Sequence, residues 1–342
     1  MYQIAVRLML LNIPEIWEGE ASKIELRGYS VDERAMERLA VPPELLMRKP
    51  DGSVHTLSVD KIASKHCPVR RDLYLEVVGR KRGQETWGRI AGPLIESYCK
   101  GLLGSFESLY DDSQDIGYAD LAKRVETYTE AFRQEHEREF SKLDGLFQKD
   151  SSEDDPEKFL LKLKHTAQTE LAMLGADRLL GQSRRQEASS LLKRFPIQIG
   201  GDALSIEPAE HIGIGRLATP DLIVINPRIV GDVKSGPSIE RKHLYTCTGY
   251  ALAYESRYTV DVNYGVIYFF ETHGKPLNSA QCYIFLIDDR LRGEFLDERN
   301  DAYRVVQAPP PFPLIGKQQI KDYCTYCKFN QKCEEDRRAA NG

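Results

Sequence analysis

Residues 219–236 read TPDLIVINPRIVGDVKSG, and the rest of the chain can be interpreted from this segment. Two apolar, β-branched runs flank an Asn-Pro-Arg break, a pattern typical of a β-hairpin. Side chains alternate along a strand, so Asp232 and Lys234 should share one face. With a connecting loop of even length, Asp221 falls opposite one of them, with Cβ atoms roughly 5 Å apart. A loop of odd length would turn Asp221 to the other face unless a bulge restored it.

Two carboxylates at that separation repel each other unless a cation lies between them. Mg²⁺ prefers oxygen ligands and typically takes one or two carboxylates while keeping several waters. The amine of Lys234 can then orient water or stabilise charge that develops on a phosphate. The alternative is an exposed turn with solvated charges, because Asp-x-Lys alone is common by chance. The earlier Asp221 and the scarcity of other charges in both strands favour a site.

Composition limits the class of protein. The chain has 342 residues and a formal net charge of −5, so any binding to nucleic acid requires a local basic groove. No apolar run is long enough to span a membrane. The N-terminus lacks the basic start and cleavage site of a signal peptide, which predicts a cytoplasmic location and no membrane partner. No GxxxxGK[ST] motif occurs, so we expect no P-loop motor.

Five segments are expected along the chain. They are an N-terminal extension (1–56), N-terminal helices (57–106), an acidic helical insertion (107–185), a strand-rich core (186–308) and a cysteine-bearing tail (309–342). The second segment holds the clearest basic region, whose candidate DNA-binding residues are Arg70, Arg71, Arg80, Lys81 and Arg82. On charge alone, a solvated helix face is the favoured alternative.

Glu96 is a carboxylate in a mostly apolar helical stretch, which is an unusual place for a lone charge. Considered by itself, it is more often a surface residue. It becomes a candidate ligand only through the resemblance described below.

Residues 323–333 read YCTYCKFNQKC, which gives a Cys-x2-Cys-x5-Cys pattern. Cys67 is the natural fourth member because proline follows it, as at many cluster ligands. The candidate set is therefore Cys67, Cys324, Cys327 and Cys333. Cys99, Cys247 and Cys282 lie in apolar patterns and are predicted to be buried core thiols.

Three fates compete for these four thiols. Structural zinc favours two paired Cys-x2-Cys knuckles, and Cys67 has no such neighbour. Disulfides are disfavoured in the cytoplasm. A [4Fe–4S] cluster accepts the unequal spacing and is the favoured interpretation, with zinc and uncoordinated thiols as alternatives. In any metal interpretation, Cys67 joins the N-terminal half to the C-terminal tail.

Four features of the chain follow one another in the order found in the RecB-like iron–sulfur nucleases, which the chain resembles. They are an upstream cysteine, an Asp…Asp-x-Lys hairpin, a helix bearing Tyr250 and a three-cysteine tail. The segment CPVRRDLYL at 67–75 and the lack of a P-loop motor narrow the resemblance to one family among these nucleases. The chain resembles the CRISPR-associated exonuclease family, fourth of the numbered core families, in its Csa-type subgroup, over about residues 57–335. The resemblance implies an α/β fold with a PD-(D/E)xK, restriction-endonuclease-like core.

The same resemblance implies cleavage of single-stranded DNA with Mg²⁺ or Mn²⁺, beside the CRISPR integrase, in trimming captured DNA and recognising its adjacent motif. It makes Asp221 and Asp232 metal ligands, with the Val233 carbonyl a possible third. Lys234 becomes the catalytic lysine. Tyr250 would contact DNA phosphate or the site.

Departures from the family pattern bear on activity. The family's Gly-x-x-x-His is here Gly92-x-x-x-Glu96, so Glu96 is a candidate metal ligand in place of an imidazole. Thr246 stands where a glutamine usually precedes Tyr250, and Asp232 is shorter than the usual glutamate. These changes keep open a nuclease-fold DNA-binding scaffold with weak or no cleavage. A repair nuclease partnered with a separate helicase is a third hypothesis.

Overall fold

The computed structural model describes part of the chain, and the account below is limited to that part. The described residues are 39–48, 52–107, 118–148, 155–165, 167–168, 197–199, 206–208, 210–215, 218–224, 229–236, 238–271, 281–308, 324 and 327–341. Most of the predicted N-terminal extension and part of the predicted insertion lie outside these ranges.

A five-stranded sheet forms the centre of the described structure, in the spatial order β1-β2-β3-β4-β5. The strands are β1 (Ile197–Ile199), β2 (Leu222–Val224), β3 (Ile229–Gly236), β4 (Tyr264–Glu271) and β5 (Gln281–Leu286). β3 and β4 are parallel and the other neighbours are antiparallel. The predicted hairpin at 222–236 and the strand pair near 264–286 are therefore confirmed.

Eight helices with defined bounds surround the sheet in the described ranges. They are α1 (Val59–Ala63), α2 (Arg71–Val77), α3 (Trp87–Glu107), α4 (Tyr118–Glu135), α5 (Glu137–Phe147), α6 (Arg241–Tyr258), α7 (Asp289–Gln307) and α8 (Asn330–Asn341). Residues 156–165 are also helical. The fold is α/β, as predicted.

The sheet separates two apolar cores because successive side chains of a strand point to opposite faces. Val233 on β3 packs in one core with α3 and with the helical segments at 118–167. Val230 and Ile267 lie in the other core, with α1, α6 and α7. The parallel connection from β3 to β4 runs through α6, so α6 covers the second face beside the end of β3.

The acidic helical segment is integrated into the fold rather than attached to its outside. Phe132 and Phe140 are 2% and 1% exposed and belong to the same core as Val233. The helical segment at 118–147 is broken at His136, between α4 and α5. The five segment boundaries remain predictions. Among the described helices, none has the length and apolar character required to cross a membrane.

Candidate metal centre and cysteine cavity

The hairpin brings the two predicted acidic ligands together. Leu222 pairs with Gly231, and the N–H of Asp221 donates to the Gly231 carbonyl at 3.0 Å. Asp221 and Asp232 therefore come directly after the last paired residues of their strands, and the four residues 225–228 form a connection of even length. Both carboxyl groups are buried, at 4% and 2% exposure.

The pKa values of the two aspartates are shifted in opposite directions. Burial raises the pKa of Asp232 well above its ordinary value, against the opposing charge of Lys234. Burial alone would raise the pKa of Asp221 too, but the hydrogen bond from Asp232 and the charge of Lys100 outweigh it and lower the pKa. The N–H of Val233 also donates to Asp221 Oδ2 at 2.8 Å. Asp221 is thus held by donors from both the hairpin and α3.

Lys234 lies beside Asp232, as the shared strand face predicts. Its Nζ is 2.6 Å from Asp232 Oδ2 and 3.8 Å from Asp60 Oδ1, on the first turn of α1. Burial lowers the pKa of Lys234, but the negative charge of Asp232 outweighs burial and raises it. The buried Asp232 Oδ2 thus faces a cationic neighbour, the Lys234 ammonium.

Glu96 joins this pair from the opposite side of the sheet. α3 packs beside β3 at Gly92, where a Cβ would be in ordinary van der Waals contact with Ser235 Oγ, at 3.6 Å. Burial and the charge of Asp221 raise the pKa of Glu96, and its carboxyl group hydrogen-bonds Asp221. Glu96 is therefore not a solitary surface acid, and three carboxyl groups meet at the hairpin.

Two charged residues at this site were missed by sequence reasoning. The ammonium of Lys100 lies 2.6 Å from Asp221 Oδ1 and also donates to Glu96. A lysine four residues after Glu96 is an ordinary helical ion-pair signal, which could have drawn attention to it. Asp60 carries no comparable signal, since its partner Lys234 is distant in sequence.

Tyr250 lies near the site on α6, and its side chain is buried at 6% exposure. Burial raises the pKa of Tyr250 well above its ordinary value, and the negative charges of Asp232 and Asp60 add to that effect. Thr246 is also buried, but its hydroxyl donates to the Lys242 carbonyl of its own helix at 3.2 Å. Thr246 therefore does not replace an amide directed into the site.

The four predicted cluster cysteines line one cavity of about 350 Å³, a volume that includes solvent at its mouth. Cys67 precedes α2, while Cys324, Cys327 and Cys333 come from the C-terminal tail and α8. Burial raises the pKa of Cys67, and it raises the pKa of Cys327 to about 11.

The remaining cysteines lie elsewhere. Cys99 and Cys247 are 4% and 0% exposed in the two apolar cores, as predicted. Cys282 is on β5, and its side chain falls outside the described part of the structure.

The structure corrects the prediction for two of the basic residues. Arg70 is fully buried and pairs with Glu298 at 2.5 Å and Asp301 at 3.2 Å. Arg71 is 6% exposed and pairs with Asp336 of α8 at 2.5 Å. Both arginines hold elements together, so contrary to the prediction they are not presented to DNA phosphates.

Arg80, Lys81 and Arg82 are exposed, on the connection between α2 and α3. That connection is held against the cysteine-bearing tail, because the N–H of Gln84 donates to the Lys328 carbonyl at 2.8 Å. Of the predicted basic set, these three remain candidates for phosphate contacts.

Comparison with known proteins adds to this geometry. Residues 1–335 match the family described as CRISPR-associated exonuclease Csa1. The chain belongs to that family. A Csa1 exonuclease of Saccharolobus solfataricus is 29% identical over 113 residues, which cover 33% of this chain and 36% of the relative. The match to that relative thus spans about a third of its length. No solved structure matches this Csa1-family chain.

Proposed function

We propose that this Csa1-family protein is a metal-dependent DNA nuclease with a PD-(D/E)xK core. We propose that it acts on single-stranded ends or overhangs and processes DNA for CRISPR spacer acquisition, together with the integrase subunits. The observation that carries the proposal is the proximity of the buried Asp221 and Asp232 carboxyl groups, with Lys234 against Asp232. The family description supports the same reaction class.

The residues present fit a hard divalent cation. Asp221, Asp232 and Glu96 supply carboxylate oxygens, and the Val233 carbonyl is a further candidate ligand. Asp232 Oδ2 is buried, and its near neighbour is the Lys234 ammonium at 2.6 Å. As they stand, no three His, Cys, Asp or Glu side chains of the described ranges converge closely enough for one ion. The ammonium groups of Lys100 and Lys234 lie against these carboxylates.

Bound Mg²⁺ or Mn²⁺ would neutralise phosphate charge and activate water. The chain's own residues contribute the rest. Lys234 is placed to stabilise negative charge on the scissile phosphate, and the burial of both aspartates keeps bulk water from screening that charge. Tyr250 lies close enough to sense the charge of Asp232 and is the candidate for orienting the phosphate.

We also propose that Cys67, Cys324, Cys327 and Cys333 hold a [4Fe–4S] cluster. They line one cavity, and four thiols are the usual ligand set of this cluster. A single zinc ion needs four sulfurs about 2.3 Å from one point, whereas each cluster thiolate binds its own iron.

A DNA-binding scaffold with weak cleavage is the second candidate. Lys100 and Lys234 favour it, because their ammonium groups balance the negative charge of the carboxylates without a metal. Glu96 in place of an imidazole favours it as well.

Cleavage by an isosteric variant separates the two candidates. Asp232→Asn keeps the volume of the side chain but removes its charge, so cutting of a single-stranded oligonucleotide with Mn²⁺ should fall roughly hundredfold or more. DNA affinity should change little, because the loss acts on the transition state. We expect Mn²⁺ to support faster cutting than Mg²⁺ and EDTA to stop it, since Mg²⁺ demands a more regular octahedron.

Asp297→Asn, on an exposed position of α7, is the matched control and should cut like the unmodified chain. The enzyme proposal fails if the iron-replete protein binds DNA but shows no Mn²⁺-dependent cutting above that of Asp232→Asn, alone or with the integrase. The scaffold function would then stand.

Iron content tests the cluster separately. The anaerobically purified chain should be brown and contain about four irons, and Cys333→Ser should lose this iron. Cys99→Ser, in an apolar core, is the control and should retain it. One zinc and no iron in the unmodified protein would overturn the cluster proposal and leave the nuclease proposal intact.

A further inference from the structure

Lys100 is the charged residue of the site that the proposed reaction does not use. It lies one helical turn after Glu96 on α3, and its ammonium is placed between two carboxylates. The side chain is 25% exposed, so it is neither a free surface lysine nor a fully buried one.

The hydrogen bonds of Asp221 decide what Lys100 can do. Oδ2 accepts the buried N–H of Val233 at 2.8 Å and is committed to the hairpin. Oδ1 is the oxygen left for a cation, and the Lys100 ammonium lies 2.6 Å from it. A divalent ion bound to Asp221 Oδ1 would lie against the oxygen that Lys100 contacts, and the same ammonium also contacts Oε1 of Glu96.

We propose that Lys100 is a positioning residue that competes with the divalent metal for Asp221 and Glu96, so that metal binding requires its ammonium to move away. This inference rests on the metal site of the proposed function. A cation of charge two and an ammonium repel strongly at contact distance. Lysine can withdraw because its charge is carried on a flexible four-carbon stem. In the absence of metal, the same ammonium neutralises carboxylates that would otherwise repel one another.

The test measures metal binding rather than cleavage. Lys100→Met retains a long apolar stem and removes the charge, and the full-length, cluster-containing protein is titrated with Mn²⁺ while free Mn²⁺ is followed by electron paramagnetic resonance. We expect Lys100→Met to bind Mn²⁺ at least about fivefold more tightly than the unmodified chain. This factor corresponds to the loss of one partly exposed ion pair. Its metal-free thermal midpoint should be lower, and Mn²⁺ should raise that midpoint by more than in the unmodified chain.

Lys164→Met is the matched control, because Lys164 also pairs with a glutamate, Glu126, but within the helical segments. It should leave Mn²⁺ affinity unchanged. Lys100→Arg keeps the positive charge and should not bind Mn²⁺ more tightly than the unmodified chain. If Lys100→Met does not fold, Lys100→Gln decides the same comparison.

The possible failures are distinguishable. If the unmodified chain binds no Mn²⁺, or if Asp232→Asn does not abolish its Mn²⁺ binding, the proposed metal site itself is wrong. If that binding is present but Lys100→Met binds Mn²⁺ equally or less tightly, the metal site stands and the competition is overturned. Equal affinity would make Lys100 an ordinary helical ion pair, and weaker affinity would make it a residue that orients the ligands.

Discussion

Arg70 provides the sharpest test of how the basic region is used. Its guanidinium is fully buried and donates to Glu298 at 2.5 Å, to Asp301 at 3.2 Å and to the carbonyls of Lys61 and Ile62 at 3.2 and 2.9 Å. Removing one partner of a buried ion pair costs about 3–5 kcal/mol. The lower half of that range applies, because the Glu298 and Asp301 side chains are 22% and 40% exposed.

Arg70→Gln should therefore lower the free energy of unfolding by about 3–4 kcal/mol, since two backbone carbonyls also lose their donors. For a chain of this size, the thermal midpoint should fall by about 4–6 °C. Scanning calorimetry under anaerobic conditions measures the midpoint. Fluorescence anisotropy with a single-stranded oligonucleotide at several salt concentrations, below both midpoints, measures DNA binding.

The matched variant is Arg80→Gln with Arg82→Gln, on the exposed connection before α3. It should keep the midpoint but weaken DNA binding, with the salt slope reduced by about 0.7 per lost phosphate contact. Arg70→Gln should show the reverse, a lower midpoint with an unchanged salt slope. An Arg70→Gln protein with the midpoint of the unmodified chain and a reduced salt slope would refute the structural role assigned to this arginine.

Two further predictions concern α6. Gly249→Ala should destabilise the protein by about 1–3 kcal/mol in a urea titration, because a Cβ there would lie 2.7 Å from the buried Phe295 ring. At the control position Gly145, a Cβ meets nothing within 4 Å, so Gly145→Ala should be neutral or stabilising. Equal stability of the two variants would contradict this packing. Burial lowers the pKa of His243 to about 4, and its Nδ1 accepts the Glu240 N–H at 3.1 Å, so protonation breaks that bond. The pKa of His243 is lower in the folded than in the unfolded state, so the free energy of unfolding should fall by at most about 3 kcal/mol as pH drops from about 6.5 to 4. His243→Asn should lack this pH-dependent loss. Parallel stability profiles of the two proteins against pH would rule out the role of His243.

The hairpin could be predicted because its information is local. Apolar runs on both sides of a short break define the strands, and the even length of the connection sets Leu222 opposite Gly231, each one residue from an aspartate. The same strand period places Lys234 beside Asp232. The position of Glu96 was suggested by the family pattern alone, and the contact with Asp221 depends on how α3 packs on the sheet.

The basic region shows where local information ends. A run of arginines has the same sequence pattern whether its side chains contact solvent, phosphates or distant carboxylates. The partners of Arg70 lie 228 and 231 residues away, on α7, and the partner of Arg71 lies 265 residues away, on α8. Tertiary packing therefore decided between a solvated face and a buried one. Arg80 and Arg82 kept their predicted exposure because they lie in a connection rather than in a packed helix.

The short helix α1 illustrates why Asp60 could not be found from the sequence. A five-residue helix carries too little periodicity to fix which face is buried. Packing decides it, since Val59 and Ile62 lie in the core of the second sheet face and leave Asp60 directed toward Lys234. The next residue, Lys61, pairs with Glu76, which in turn binds Lys328 of the cysteine-bearing tail. Neighbouring residues of one helix turn thus contact the candidate metal site and the segment that carries the cysteines, a convergence that only the three-dimensional structure specifies.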